Sequence, residues 1–114
     1  MTRDLRFMAV PAVLMALVVC VPVEAQTPEI DALRARAEQG EVSAQVNLGD
    51  SYATGEGVPQ DDVLAYMWYN LAAAQGTRGA GRDMDDLEER LTREQIAEAQ
   101  RMSREWLEAH PRGN

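Results

Sequence analysis

The sequence predicts an all-α protein organised as a paired-helix solenoid, on three observations. Apolar or aromatic residues recur every four positions, as at Ala44, Leu48 and Tyr52, which is the spacing of one helix face. Beyond residue 26, no segment alternates apolar and polar residues as a half-buried strand does. The tetrapeptide AEQG at 37–40 returns as AAQG at 73–76, an offset of 36 residues that is typical of helical-pair repeats.

The first 25 residues have the pattern of a secretory signal peptide. Two arginines precede the uncharged stretch 7–23, and small residues stand at Val23 and Ala25, the −3 and −1 positions of a cleavage site. The stretch is shorter than the roughly 20 residues that cross a bilayer, which favours cleavage over a retained anchor. We therefore predict a signal peptide at residues 1–25 and export to the periplasm or the extracellular space. If the signal segment is not cleaved, it is the one part of the chain that we expect to contact a membrane.

The remaining chain predicts a single small domain, from residue 26 to residue 110. Within it we place one complete repeat at about residues 40–76 and capping helices at about residues 80–110. The single cysteine, Cys20, could be a lipid-modified residue, but Val19 stands before it where such cysteines have Gly, Ala or Ser, so this alternative is disfavoured. If Cys20 leaves with the signal peptide, the mature domain has no disulfide, no thiol nucleophile and no sulfur ligand for a metal.

The composition restricts the class of partner. The chain carries a net charge of −8 and no lysine, and removal of the signal peptide leaves that charge unchanged. Such a surface repels nucleic acid and anionic lipid headgroups. We therefore expect a protein or peptide partner, with a basic one favoured, and no nucleic acid.

Capping residues and glycines mark the helix boundaries. Thr27, followed by a proline, predicts the start of a first helix that ends at Gly40. The second helix runs to Gly55. Asp61 is the expected cap of a third helix, which ends at Gly76.

The C-terminal third predicts two more helices. Residues 77–81 are rich in glycine and predict a loop, and RDMDDLEERL at 82–91 predicts a short acidic helix. Thr92 and Gln95 have the spacing of a capping box for a last helix, which closes at His110 before a proline.

The glycine-rich stretch GEGVPQ raises the question of a phosphate-binding loop. Such a loop needs a preceding strand and a third glycine, or a following Lys-Ser/Thr pair, and the sequence has neither. A corner between two helices accounts for every residue: Gly55 ends one helix, Gly57 reverses the chain, and Val58 fills the gap between the helices.

No constellation of residues predicts catalysis. The acidic cluster Asp83, Asp85, Asp86, Glu88 and Glu89 is expected to be a solvated face near the N-terminus of its helix, where the dipole favours negative charge. The one histidine is expected in the last turn of the final helix, a favourable position for a cation, and no Ser-His-Asp order accompanies it. We therefore predict no catalytic, cofactor-binding or metal-ligating residue.

The segment AEQGEVSAQVNLGDSYATGEGVPQDDVLAYMWYNLAAAQG resembles the Sel-one-like repeat, a relative of the tetratricopeptide repeat. That family's pattern has Ala-Gln and Leu-Gly-x-x-Tyr on its first helix, Gly-x-Gly-Val and Asp in the loop, and Ala-x-x-Trp-Tyr-x-x-Ala-Ala-x-Gln-Gly on its second helix. The residues of this chain that carry the pattern are Ala44, Gln45, Leu48, Gly49, Tyr52, Gly55, Gly57, Val58, Asp61, Ala65, Trp68, Tyr69, Ala72, Ala73, Gln75 and Gly76. The C-terminal stretch lacks the Gly-x-Gly loop and looks like the terminal helix pair that often follows such repeats in exported bacterial proteins.

Three of these residues have clear packing roles. Gly49, in mid-helix, lets the facing helix approach closely, which offsets the roughly 1 kcal/mol that glycine costs in a helix. Trp68 and the neighbouring Tyr69 are expected between helices, because the interleaved basic residues of a nucleic-acid platform are missing.

The resemblance implies a non-catalytic interaction or scaffold module in a bacterial cell envelope. By the tetratricopeptide layout, Ser43, Val46, Asn47 and Asp50 would line the concave side and bind a partner. The polar residues Ser43, Asn47 and Asp50 would point away from the packed side, and alanine at Asn47 and Asp50 would leave the fold intact. A lone repeat buries its faces poorly, so either the flanking helices cap it or the chain forms a homodimer. The alternative function is a factor associated with cell-wall or β-lactam hydrolysis, although a chain without lysine cannot supply a Ser-x-x-Lys nucleophile.

Overall fold

The computed structural model of the chain describes residues 27–111, and the predicted signal segment lies outside them. Five helices follow one another in this range, with no strand among them: α1 (Pro28–Glu38), α2 (Val42–Thr54), α3 (Asp62–Ala73), α4 (Arg78–Glu88) and α5 (Arg93–Ala109). The all-α prediction is therefore confirmed.

Three of the predicted helix starts, those of α1, α3 and α5, are confirmed by their capping bonds. The Thr27 hydroxyl accepts a hydrogen bond from the Ile30 amide at 3.3 Å, at the start of α1. A carboxylate oxygen of Asp61 accepts from the first amides of α3 at 3.1 Å. Thr92 and Gln95 form both bonds of the capping box that opens α5. Each of these bonds pairs a backbone N–H that the helix itself leaves unpaired.

The GEGVPQ stretch forms a corner between α2 and α3. Gly55, with φ 83°, is the left-handed C-cap of α2. Gly57 also has positive φ, and a Cβ there would lie 2.7 Å from Cγ1 of Ile30, so glycine is required for both conformation and space. Val58 is buried, and the Asp61 amide donates to the Tyr52 carbonyl at 2.9 Å across the corner. The corner interpretation is confirmed.

Helix α3 is the centre of the fold. It packs against α2 on one side and against α4 and α5 on others, while α1 packs on α2. All residues from Ala65 to Tyr69 are buried, as are Leu71 and Ala72. A helix that is apolar on almost every face is stable only when it is covered all round. The flanking helices therefore cover the repeat, as the capping alternative requires.

The predicted loop at residues 77–81 is wrong, because α4 already begins at Arg78. Ala80 is completely buried, and packing of this kind outweighs the weak helix propensity of its neighbours. A Cβ on Gly79 or Gly81 would meet no atom within 4 Å, so these glycines face open space. The sequence did contain a signal, since Ala80 lies one repeat length after the buried Ala44.

The dipole argument for the acidic cluster is also wrong. The first turn of α4 holds no acidic residue, and the cluster begins at Asp83 and continues to the C-cap residue Glu89. Negative charge in this half of a helix is not favoured by the dipole. Four of its five members are nonetheless exposed to solvent. Glu88 has a structural contact, because its carboxylate accepts a hydrogen bond from the Tyr66 hydroxyl at 2.7 Å.

Candidate docking surfaces

The predicted groove residues on α2 have different surroundings. Ser43, Asn47 and Asp50 are exposed. Val46 is half-buried and packs against the hydrophobic core, so it contributes partly to the packed side of the helix. The exposed polar face of α2 therefore consists of Ser43, Asn47 and Asp50, and we call these three residues the α2 face.

Asp50 also has a structural contact that the sequence did not reveal. Its carboxylate accepts a hydrogen bond from the Tyr69 hydroxyl at 2.5 Å. The Tyr69 ring is buried against Gly49, where an added Cβ would lie 2.7 Å from two ring carbons. The close approach predicted at Gly49 is confirmed. The expectation that Asp50 makes no contact within the fold is wrong, because its carboxylate is the hydrogen-bond acceptor for the hydroxyl of the buried Tyr69.

Negative charge continues from the α2 face onto α4. A small cavity of about 150 Å³ lies between α2, α3 and α4, with Asp83, Asp86 and Arg90 on its wall. Burial, followed by repulsion from Asp50 and Asp86, raises the pKa of the Asp83 carboxyl. Arg90 offsets part of this charge, but it is also held by Asp62 through two hydrogen bonds of 2.9 and 3.1 Å. The edge between α2 and α4 is thus acidic overall.

A larger cavity, of about 550 Å³, lies where α1, α3 and α5 end. Glu38 and Gln39 border it from α1, Leu71 from α3, and Trp106 and Leu107 from α5. Leu107 is 41% exposed, which is unusual among the large apolar side chains of residues 27–111. We call this space the helix-end cavity. Sequence reasoning missed it, because its wall is assembled from three helices that are distant along the chain.

Two glutamines of the repeat pattern form part of the cavity wall. Gln45 is buried, and its amide nitrogen donates to the Ala37 carbonyl at 3.1 Å. Its amide oxygen accepts from the Gln75 side chain at 2.8 Å. These bonds join the end of α1, the start of α2 and the end of α3. The Ala-Gln and Gln-Gly parts of the pattern therefore have a structural role.

Aromatic rings complete the wall on the α5 side. Trp106 meets the buried Trp68 edge to face, with ring centroids 5.9 Å apart. The His110 ring stacks on Trp106 at 4.0 Å, and its Nδ1 lies 2.9 Å from the Trp106 carbonyl oxygen. The predicted burial of Trp68 between helices is confirmed. His110, expected in the last turn, is the C-cap residue of α5 and borders the cavity.

The remaining repeat residues lie where the pattern requires a core or a corner. Ala44, Leu48, Tyr52, Ala65 and Ala72 are buried. Ala73 is half-buried, and Gly76 ends the turn after α3 with φ 97°.

Residues 27–111 contain no group of three or more His, Cys, Asp or Glu side chains arranged to hold a metal ion. In the same range, none of the helices combines the length and the apolarity needed to cross a bilayer.

The five helices define the class of the protein, a tetratricopeptide-like helical solenoid. Residues 42–77 match the family model of the Sel1 repeat. The chain therefore carries a Sel1 repeat, and the resemblance to Sel-one-like repeat proteins is confirmed. This repeat indicates a module for protein–protein interaction, and proteins that contain it are typically non-catalytic. No curated protein matches the chain.

Proposed function

We propose that the protein is exported and acts in a bacterial cell envelope as a non-catalytic docking module for a protein or peptide partner. The observation that carries this proposal is the Sel1 repeat at residues 42–77, because this repeat indicates protein–protein interaction. Export is supported by the basic start, the apolar run and the small residues at Val23 and Ala25.

The α2 face supports a polar and basic partner. Ser43 and Asn47 are exposed, and the Ser43 hydroxyl donates a hydrogen bond of 3.5 Å to the Glu41 carboxylate. The face continues into the acidic edge formed with Asp83 and Asp86. A cationic group from a partner would relieve the repulsion among these carboxylates, and charge complementarity of this kind favours fast and selective association.

The docking site is tested by the double variant Ser43→Ala with Asn47→Ala. Both side chains are exposed, so the free energy of unfolding should change by less than about 0.5 kcal/mol. Capture of the partner from periplasmic extract should fall about tenfold if roughly 1.4 kcal/mol of contact is lost. Quantitative mass spectrometry would compare the immobilised wild type, the double variant and Arg104→Ala, an exposed control on α5. Equal capture by all three would exclude the α2 face.

The charge contribution is tested separately with Asp50→Asn. The amide oxygen can still accept the bond from Tyr69, while the negative charge is removed. Capture of a basic partner should weaken. It should also depend less on salt concentration, because salt screens attraction between charges and the variant has lost one of them. An unchanged salt dependence would mean that Asp50 contributes no charge to binding.

Export is tested by mass spectrometry of the protein isolated from its native host. Cleavage after Ala25 gives a chain that begins at Gln26, in open or cyclised form. A chain that still begins at Met1, or one that carries a lipid on Cys20, would contradict the proposed processing.

A further inference from the structure

We propose that the helix-end cavity binds an arginine side chain of a partner peptide. This site is separate from the α2 face, and the inference does not depend on the role proposed for that face. It is drawn from the charge, the hydrogen-bonding groups and the shape of the cavity wall.

The cavity has a negative electrostatic character. The C-terminal ends of α1, α3 and α5 border it, and each carries roughly half a negative charge from the helix dipole, while the N-terminal end of α2 offsets one of them. The last turns of α3 and α5 contain no basic residue. The last turn of α1 contains Arg36, which pairs with Glu41 at 3.4 Å. Among the described residues of the wall, Glu38 is the one carboxylate, and no arginine borders the cavity.

The polar groups of the wall include hydrogen-bond acceptors. A carbonyl oxygen can only accept, so Nδ1 of His110 is the donor in its 2.9 Å contact with the Trp106 carbonyl oxygen. Glu38 and Gln39 also border the cavity, and their side chains carry a carboxylate and an amide oxygen, both of which are acceptors. A ligand with several N–H donors suits such a wall.

The shape and the apolar surface favour arginine over lysine. Leu71, Leu107 and the stacked rings of Trp106 and His110 provide apolar and aromatic surface beside the acceptors. A guanidinium group is planar, stacks on rings and presents five N–H donors, whereas an ammonium group is a strongly hydrated point charge. The volume of about 550 Å³ lies within the roughly 300–1,000 Å³ of ligand pockets, which leaves room for the aliphatic stem.

The probes are three capped tripeptides, Gly-Xaa-Gly, in which the central residue is arginine, lysine or citrulline. Citrulline is a neutral analogue of arginine with nearly the same shape. The sequence contains one histidine, so NMR signals of the His110 ring are assigned without ambiguity. The arginine peptide should shift these signals saturably, and the citrulline peptide should bind about tenfold more weakly. Equal binding of arginine and citrulline would overturn the proposal.

Two glutamate variants form a matched pair. Glu38→Gln removes the charge from the cavity wall and should weaken binding of the arginine peptide about tenfold. Glu29→Gln makes the same change at the other end of α1 and should leave binding unchanged. Equal affinities of the two variants would overturn the proposal, and melting temperatures of both would show that the fold is retained.

A competing occupant is the chain's own Arg112, which lies outside the described residues. An Arg112→Ala variant distinguishes the two sources of the guanidinium group. If the cavity serves a partner, this variant should bind the arginine peptide as the wild type does. A gain in affinity, together with a shift of the His110 signals before any peptide is added, would assign the cavity to the chain's own tail and overturn the proposal.

Discussion

The Tyr69 hydroxyl of α3 donates a hydrogen bond of 2.5 Å to the Asp50 carboxylate of α2. The same tyrosine ring lies directly over Gly49, the residue that precedes Asp50. Tyr69 therefore links the packing of α3 on Gly49 to Asp50, a residue of the α2 face that we propose for docking. Burial, followed by the hydrogen bond to Asp50 and the nearby negative charge, raises the pKa of Tyr69 far above its ordinary value.

Removal of this hydrogen bond should destabilise the fold. Asp50→Ala leaves the buried Tyr69 hydroxyl without an acceptor and should lower the free energy of unfolding by about 1–3 kcal/mol. Chemical denaturation would measure the change, with Asn47→Ala as an exposed neighbour expected to cost less than about 0.5 kcal/mol. When Tyr69 is already phenylalanine, Asp50→Ala should lower the free energy of unfolding clearly less. An equal loss with tyrosine and with phenylalanine at position 69 would show that Asp50 and Tyr69 are not coupled.

A methyl group at Gly49 should also destabilise the protein, although alanine favours helices. The added Cβ would lie 2.7 Å from the Tyr69 ring, and overpacking of this kind costs about 1–3 kcal/mol. Gly79→Ala is the matched control, because its Cβ would meet open space in α4. That control should gain up to about 1 kcal/mol from helix propensity. Melting temperatures that move the same way in both variants would contradict the packing argument.

Truncation of Trp68 should destabilise the protein strongly. Trp68 is buried, and its ring contacts Trp106 of α5, so Trp68→Ala removes packing on which α5 depends. The expected cost is about 3–5 kcal/mol, a large part of the stability of a small domain. Leu107→Ala, on the same helix as Trp106, changes an exposed side chain and should cost much less. Thermal unfolding followed by circular dichroism separates the two variants, and similar losses would contradict this assignment.

The stability should fall in alkaline solution. Burial and the hydrogen bond to Glu88 raise the pKa of Tyr66 to about 12, above the value of about 10 in an unfolded chain. A raised pKa means that the folded state favours the protonated form of Tyr66. The contribution of Tyr66 to the free energy of unfolding is therefore complete below about pH 10 and is lost as the pH rises through about 12. Denaturation midpoints across this range should decrease, and tyrosinate absorbance should rise together with unfolding.

Glu88→Gln is the informative variant for the alkaline transition. It removes the negative charge that opposes ionisation of Tyr66, so the pKa of this tyrosine should move towards 10. The onset of the transition should then shift to lower pH. Glu94→Gln, an exposed change at the start of α5, should leave the onset where it is. A common onset in both variants would contradict the role of Glu88.

The sequence by itself determined the helical elements and the repeat. Capping residues such as Thr27, Asp61 and Thr92 act on amides two or three positions away, so their effect can be read from the chain without knowing the fold. The positive φ angles at Gly55 and Gly57 follow in the same way from a corner that only glycine accommodates readily. These are local interactions, and the structure confirms them.

Only the tertiary structure determined where α4 begins, that Asp50 accepts a hydrogen bond from Tyr69, and that the helix-end cavity forms. Each depends on residues that are distant in sequence: Ala80 is buried in the shared core, Asp50 meets a hydroxyl 19 positions away, and Gln45 meets Gln75 30 positions away. Packing of this kind outweighs weak local preferences such as those of Gly79, because burial contributes more free energy than propensity does. A single sequence contains the local conformational preferences, but it does not show which side chains, distant along the chain, pack against one another.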